Sequence, residues 1–212
     1  EVLCEDGSRF SARCLIGADG LLSPTRDYIA GSSPPRVTGF LAYRGVIPIG
    51  KVFDHTYDRS VIGWFGHNIH LVQYALRAGD VLNNVAVFGS PSFARGESDY
   101  GSPAELKTMF EQAHPRVRSM LEYISLDRNW MMRDREPIAN WTRGNVTLLG
   151  DAAHPTLQYL AQGACMAFED SVVIAERLAE SPDDPNRAFL AYQQQRILRT
   201  ARIVLTARAF GH

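Results

Sequence analysis

Cysteine is scarce in this chain of 212 residues, which contains only Cys4, Cys14 and Cys165. The odd number, without a Cys-x-x-Cys pair, argues against a disulfide-stapled scaffold and against a zinc site with the usual ligand spacing. Such cysteine usage is typical of a reducing compartment, so we expect a cytoplasmic protein. Because Cys165 lies in a helical pattern, we interpret it as a small packing residue rather than a reactive thiol.

Strong charge and long apolar runs are also missing. The formal net charge is -1, so no global field favours nucleic acid or an anionic membrane. No apolar stretch approaches the roughly 20 residues that a membrane-spanning helix needs. With 45% hydrophobic and 21% charged residues, the composition is that of a globular protein that can bury a core. We therefore expect neither nucleic acid nor a membrane among its partners.

The dinucleotide-binding fingerprint Gly-x-Gly-x-x-Gly is absent as well. The chain has instead the segment 150–154 (Gly-Asp-Ala-Ala-His) after the apolar run 146–149, and the segment 162–164 (Gln-Gly-Ala) at the start of a long helical pattern. A carboxylate fixed at the end of a strand can accept hydrogen bonds from sugar-like hydroxyl groups. The free N–H groups of a helix start can face negative charge, and glycine permits close approach. This pattern predicts a site for a polar cofactor.

Two further segments carry a family resemblance. Residues 17–26 read Gly-Ala-Asp-Gly-Leu-Leu-Ser-Pro-Thr-Arg, and residues 134–137 read Asp-Arg-Glu-Pro. In this order and spacing, these segments and the segment 150–164 resemble the internal motifs of the single-component FAD-dependent aromatic-ring monooxygenases. The resemblance covers essentially the whole chain. It implies FAD as cofactor, NADH or NADPH as reductant, and dioxygen as a second substrate.

The resemblance also implies roles for residues around the flavin. Asp151, held after Gly150, would bind the ribityl chain of FAD, and Asp19 would support the flavin site. Apart from the resemblance, Arg26, Arg44 and Arg135 could each bind a phosphate or carboxylate group, and of these we choose Arg26. The alternatives are ordinary structural roles, because aspartate often caps turns and arginine often joins ion pairs.

The start of the long predicted helix is the third part of this cofactor site. The resemblance places Gln162, Gly163 and Ala164 near the pyrimidine edge of the flavin, which carries negative charge when reduced. The positive end of a helix dipole favours such a charge by about 0.3–2 kcal/mol. A plain helix cap is the alternative interpretation.

His70 and Tyr74 form a candidate substrate-binding pair. They lie in a predicted strand four residues apart, so their side chains point to the same face. Imidazole, with an unperturbed pKa near ~6.5, can accept a phenolic proton around neutral pH. The alternative is a structural histidine beside a core tyrosine. His67 is three residues from His70, so it faces the other side and the two do not suggest a metal site.

Gln158 departs from the usual family pattern, which has proline four residues after the histidine of the Gly-Asp motif. The segment 157–164 resembles the branch of the family that hydroxylates 3-hydroxybenzoate. That branch implies a glutamine that contacts the substrate, together with a histidine and a tyrosine spaced by four. Residues Gln158, His70 and Tyr74 match these roles, although a polar loop residue is the alternative for Gln158. His114 and His154 lie beside prolines without an acidic cluster, and we predict no metal site.

The predicted fold is of the α/β (α+β) class, as the C-terminal part of a two-domain FAD-binding fold. Residues 1–36 and 133–212 would form parts of the FAD-binding domain, and residues 37–132 an inserted β-sheet domain for the substrate. We predict strands at 13–17, 37–49, 60–65, 69–76, 81–88 and 146–149, a loop at 89–101, and helices from 23, at 102–113, 115–123, 162–179 and 186–210. The missing fingerprint leads us to expect a longer parent enzyme.

The expected function is hydroxylation of a phenolic aromatic acid, with 3-hydroxybenzoate converted to 2,5-dihydroxybenzoate as the first choice. A salicylate hydroxylase that releases catechol is one alternative. A non-catalytic fragment that binds aromatic acids is another, and a flavin reductase or halogenase is a third. Family habit implies a homodimer.

Overall fold

The computed structural model describes residues 1–52 and 60–211. Its helices and sheets confirm the predicted mixed α/β class. The chain divides into two compact units: unit 1 comprises Glu1–Arg36 and Arg133–His212, and unit 2 comprises Val37–Met132. The roles that the sequence analysis assigns to these ranges stay predictions.

The strands and helices follow one another along the chain as β1 (Val2–Leu3), β2 (Arg9–Phe10), β3 (Leu15–Gly17), α1 (Pro24–Ala30), β4 (Arg36–Pro48), β5 (Ile62–Gly66), β6 (Ile69–Leu76), β7 (Val81–Gly89), α2 (Pro91–Ala94), α3 (Pro103–Met109), α4 (Pro115–Met120), β8 (Trp130–Asp134), β9 (Thr142–Arg143), β10 (Val146–Leu148), α5 (Gly163–Glu180) and α6 (Pro185–Phe210). Short 3-10 turns at Gly150–Ala152 and Gln158–Leu160 lie between β10 and α5.

Unit 1 packs two long helices against a small sheet. The sheet order is β3-β10-β9, with β3 parallel and β9 antiparallel to β10. Apolar side chains of α5 and α6 meet the sheet in a core that includes Trp141, Leu148, Ile174 and Phe189. This core fixes the end of β10, where the Gly-Asp segment begins.

Three of the four shorter helices, α1, α2 and α3, start at Ser-Pro pairs. In Ser23-Pro24, Ser90-Pro91 and Ser102-Pro103, the serine hydroxyl accepts a hydrogen bond from the N–H three residues later, at 2.8, 3.1 and 3.2 Å. Proline fits the first helical position because its missing N–H would have no partner there. The first and third starts confirm the predictions. The predicted loop at 89–101 is wrong, since it contains α2, and α3 ends earlier than predicted.

Unit 2 is built on a five-stranded sheet in the order β5-β6-β7-β4-β8. The pairs β5–β6, β6–β7 and β7–β4 are antiparallel. Side chains alternate between the two faces of a strand. Leu71 of β6 is buried in a core with Leu106 of α3 and Val117 of α4. His70 and Tyr74 therefore lie on the face opposite these helices.

Cys165 differs from its interpretation as a packing residue. It lies on the first turn of α5, and its side chain is exposed in the described chain. The prediction is wrong because helical periodicity places a residue on a helix without showing which neighbours cover it.

Gly45 of β4 offers a test of packing in unit 2. A Cβ at this position would clash with the backbone carbonyl oxygen of Tyr123, which cannot move as a flexible side chain can. We expect Gly45→Ala to lower the free energy of unfolding by about 1–3 kcal/mol, the usual cost of overpacking. Gly50→Ala is the matched control, because a Cβ there meets nothing within 4 Å. Urea denaturation measures both, and equal stability of the two variants would contradict the assignment.

Candidate functional site

The Gly150–Ala152 turn places Asp151 directly after β10. Gly150 has φ +62, a left-handed conformation that glycine adopts without a Cβ penalty. The Gly150 carbonyl accepts hydrogen bonds from the N–H groups of Ala153 and His154, both at 2.9 Å. The Asp151 side chain is exposed, while the protein around its carboxyl raises its pKa by desolvation. The turn thus presents a carboxylate that a hydroxyl-bearing ligand can reach.

A buried carboxylate that the sequence analysis missed stabilises this turn by a hydrogen bond to its backbone. Asp170 of α5 is fully buried and accepts hydrogen bonds from the Gly150 N–H at 3.1 Å, His154 Nε2 at 2.5 Å and Arg196 Nε at 2.7 Å. Burial alone would raise the pKa of Asp170, but these hydrogen bonds lower it. The sequence feature that could have identified Asp170 is a carboxylate within the apolar stripe of α5, between the buried residues Met166 and Val173.

His154 has one acidic partner, Asp170, which its sequence context beside proline did not reveal. Its ring is buried, and in the described chain its Nδ1 atom has no hydrogen-bond partner. A proton on Nδ1 would be a buried donor without an acceptor, which is costly. The geometry therefore favours the tautomer that donates from Nε2 to Asp170. Residues distant in sequence form this pair, so local context could not reveal it.

Asp19 caps α1 in the structure. Its carboxylate accepts hydrogen bonds from the Ser23 hydroxyl at 2.5 Å, and from the Thr25 N–H at 3.0 Å and hydroxyl at 2.7 Å. These bonds lower the pKa of Asp19, although partial burial acts in the opposite direction. Its contacts are those of a helix cap, and its support of the flavin site stays a prediction.

Arg26 is buried and binds backbone carbonyls within the Gly-Asp segment and at Glu136. One guanidinium nitrogen donates to the Ala152 and Ala153 carbonyls at 3.2 and 2.7 Å, and the other donates to the Glu136 carbonyl at 2.6 Å. Burial lowers the pKa of Arg26 to about 10, and the charge of Arg135 adds to this effect. The contacts tie α1 to the Gly150–Ala152 turn. Direct contact of Arg26 with a cofactor stays a prediction.

The N-terminus of α5 offers backbone N–H groups that make no hydrogen bond within the helix. Gln162 is the N-cap without a side-chain cap, and its carbonyl accepts from the Met166 N–H at 2.9 Å. The N–H groups of Gly163, Ala164 and Cys165 precede the first intrahelical bond and can face a ligand. A Cβ at Gly163 would make only ordinary contact, at 3.5 Å from Thr156. The packing of the described chain therefore does not itself require glycine at this position.

In unit 2, strand β6 presents His70 and Tyr74 on one face, both half-buried. The His70 ring stacks on that of Phe65, directly across the sheet in β5, with 6.1 Å between centroids. Burial lowers the pKa of His70 below 6.5. His67 is exposed in the turn between β5 and β6, outside the strand.

Gln158 lies in unit 1, at the start of the Gln158–Leu160 turn. Its side chain is half-buried. The turn ends at Ala161, which has the left-handed φ of 51, immediately before Gln162 and α5. This reversal places Gln158 four residues before the helix start that carries the free donors.

Two negative findings apply to residues 1–52 and 60–211. Three or more His, Cys, Asp or Glu side chains nowhere converge there in a way that could hold a metal ion. None of the helices described is both long and apolar enough to span a membrane.

The role of Asp170 can be tested by removing its charge. We expect Asp170→Asn to lower the free energy of unfolding by about 3–5 kcal/mol, as when one partner of a buried ion pair is lost. It should also speed amide exchange at Gly150. Glu169→Gln is the matched control, because Glu169 pairs with Arg196 and Arg199 at 2.7 and 2.5 Å but does not contact the turn.

Urea denaturation and hydrogen–deuterium exchange measure the two effects. The control should cost only about 0–1 kcal/mol, as surface ion pairs do. Equal exchange at Gly150 in the two variants would contradict the role of Asp170.

Curated relatives match this chain over almost its whole length. The 3-hydroxybenzoate 6-hydroxylase of Klebsiella oxytoca is 42% identical over 210 residues, covering 99% of this chain and 53% of the relative. The corresponding enzyme of Polaromonas naphthalenivorans (strain CJ2) is 41% identical over 207 residues, covering 98% and 52%. The chain therefore spans about half the length of the curated relatives it matches.

Solved structures are similar in fold. HpxO of Klebsiella pneumoniae, complexed with FAD and uric acid, has a TM-score of 0.83 at 26% identity, covering 99% of this chain and 53% of that one. A salicylate hydroxylase in a substrate complex has a TM-score of 0.81 at 26% identity, covering 98% and 56%. The family model for the FAD binding domain matches residues 3–207. The predicted family and cofactor are thereby confirmed: this chain belongs to the FAD-binding domain family of the flavin-dependent aromatic hydroxylases.

Proposed function

We propose that the protein containing this chain hydroxylates a phenolic aromatic acid with NADH and dioxygen, and that 3-hydroxybenzoate is converted to 2,5-dihydroxybenzoate. The reaction balances as substrate, NADH, one proton and dioxygen giving hydroxylated product, NAD⁺ and water. Bound FAD supplies the redox chemistry, taking a hydride from NADH and activating dioxygen. The residues of this chain bind the substrate, orient it and accept its phenolic proton.

The observation that carries the proposal is the face of β6. It presents an imidazole whose pKa is lowered by burial, so His70 is neutral and able to accept a proton at neutral pH. Tyr74 lies on the same face and can donate a hydrogen bond. The 3-hydroxybenzoate 6-hydroxylases, at 42% and 41% identity, support the choice of substrate.

The residues of unit 1 fit FAD. Asp151 offers an exposed carboxylate to the ribityl hydroxyl groups, and the α5 N-terminus offers N–H groups to the pyrimidine edge. Gly163 can allow close approach, since nothing in the described chain requires glycine there. Arg26 would act by holding the turn that carries Asp151.

The proposed substrate chemistry is deprotonation and orientation. His70 accepts the proton of the phenol, and the phenolate ring that results is more electron-rich and reacts more readily with electrophilic oxygen. Tyr74 and Gln158 orient the acid by hydrogen bonds from a hydroxyl and an amide. The reductant, NADH or NADPH, and a homodimer are parts of the proposal that family resemblance alone supports.

The similarity to a salicylate hydroxylase structure is the reason to test one alternative reaction. Decarboxylating hydroxylation of salicylate would release carbon dioxide and catechol, whereas the proposed reaction retains the carboxylate. A non-catalytic acid-binding fragment would show neither product.

The first test is a visible spectrum of the purified protein with FAD, before and after 3-hydroxybenzoate, followed by product analysis with NADH and air. We expect a flavin spectrum that the acid perturbs, substrate-dependent NADH oxidation, and 2,5-dihydroxybenzoate. Catechol from salicylate, with no reaction of 3-hydroxybenzoate, would overturn the substrate assignment. A perturbed spectrum without turnover would favour a binding module.

The pH profile tests the base. Because only neutral His70 accepts a proton, kcat/KM should be flat near neutral pH and fall as the pH drops through a pKa below 6.5. His70→Asn should lower kcat by roughly 10²–10⁴-fold and remove this acid limb. A limb that persists in the variant would assign it to another group.

Tyr74→Phe separates orientation from proton transfer. It removes one hydrogen bond from the face of β6 but leaves the imidazole of His70 in place. We expect a higher KM for the acid with the acid limb of the pH profile unchanged. Loss of the acid limb in steady-state kinetics would show instead that the Tyr74 hydroxyl takes part in proton transfer.

A further inference from the structure

Asn83 of β7 lies on the same sheet face as the proposed substrate residues. In the antiparallel register, Tyr74 pairs with Asn83, Val72 with Val85 and His70 with Val87. Residues directly opposite on antiparallel strands share a face, with Cβ atoms about 4.5–5.5 Å apart. The Asn83 amide and the Tyr74 phenol can therefore reach one and the same ligand group.

The amide of Asn83 is nearly buried and has no described partner. The residue is 8% exposed, yet among residues 1–52 and 60–211 its side chain makes no hydrogen bond. Its amide atoms are not among the fully buried polar atoms that lack a partner in the described chain, so a ligand can still reach them. The next residue differs: Asn84, on the opposite face, is fully buried, accepts a hydrogen bond from Gln73 Nε2 at 2.5 Å, and has no partner for its own Nδ2 in the described chain.

Polar and apolar groups alternate along this face in an order that suits an aromatic acid. His70 is at one end, Val72 and Val85 form an apolar floor, and Tyr74 and Asn83 are at the other end. Residues four apart on a strand are separated by about 13 Å, and Val72 lies between His70 and Tyr74 on this face. A ring with a hydroxyl group at one end and a carboxylate at the other matches this order.

The cation on the same face is engaged elsewhere. Arg44 of β4 pairs with Val85 in the register, and its guanidinium lies over the Trp130 ring, 5.3 Å from the centroid. In the described strands β6 and β7, the donors at the Tyr74 end of this face are the neutral side chains of Tyr74 and Asn83. Amide and phenol donors suffice to bind a carboxylate when it is shielded from water.

We propose that Asn83 is a substrate-binding residue that donates its amide N–H to the carboxylate of the aromatic acid, beside Tyr74. The inference rests on the proposed function and adds the residue that selects for the carboxylate. His70 recognises the phenol at the other end of the face. Together they would distinguish a hydroxybenzoate from a simple phenol.

Calorimetric binding to the FAD-loaded protein tests the proposal, with 3-hydroxybenzoate and 3-methylphenol as a matched pair of ligands. For Asn83→Leu, which keeps the size and removes the amide, we expect the Kd of 3-hydroxybenzoate to rise about 10- to 100-fold, as for loss of a hydrogen bond to a charged group. The Kd of 3-methylphenol, which lacks the carboxylate, should stay unchanged. Asn83→Asp should reject 3-hydroxybenzoate but retain 3-hydroxybenzamide.

Asn84→Leu is the control on the opposite face, where we expect a lower Tm with an unchanged Kd. Equal changes for both ligands in Asn83→Leu, or no change for either, would overturn the inference while leaving the proposed function intact. If the unaltered protein binds salicylate instead, the comparison is made with salicylate and phenol, and the same two outcomes decide. If it binds no hydroxybenzoate at all, the proposed function and this inference both fall.

Discussion

The carboxylate of Asp170 is the contact on which the cofactor turn depends. It joins the Gly150 N–H, the His154 ring and the Arg196 guanidinium, which come from the turn and from α6. A buried charge is tolerated only when such donors surround it. Because these bonds fix the backbone at Gly150, they also fix the direction in which Asp151 points.

Buried arginines complete this support without acting as surface charges. Arg26 holds the carbonyls of Ala152 and Ala153, and Arg135 donates to the Leu21 carbonyl at 3.2 Å and to Asp27 at 3.1 Å. A guanidinium suits this task because its planar donors can serve several carbonyls at once. Arginine side chains of the motif segments thus bind backbone carbonyls of other motif segments. These contacts leave the exposed carboxylate of Asp151 available to a ligand.

Strand alternation organises the other unit. The period of two in β6 separates Leu71 and Gln73, which face the core, from His70 and Tyr74, which face away from it. A shift of one residue in the register would exchange these sets and bury the imidazole among apolar side chains. The apolar core beneath the sheet therefore fixes the orientation of the proposed substrate face.

The sequence by itself determined the features that depend on local patterns. Alternation in β6 predicted that His70 and Tyr74 share a face, and the Ser-Pro pair at Ser23 predicted the start of α1, because strand period and capping act over a few residues. Only the tertiary structure decided which distant groups meet. The pairing of His154 with Asp170 and the bond from Arg26 to the Ala153 carbonyl depend on long-range packing, which brings together groups that no local pattern relates.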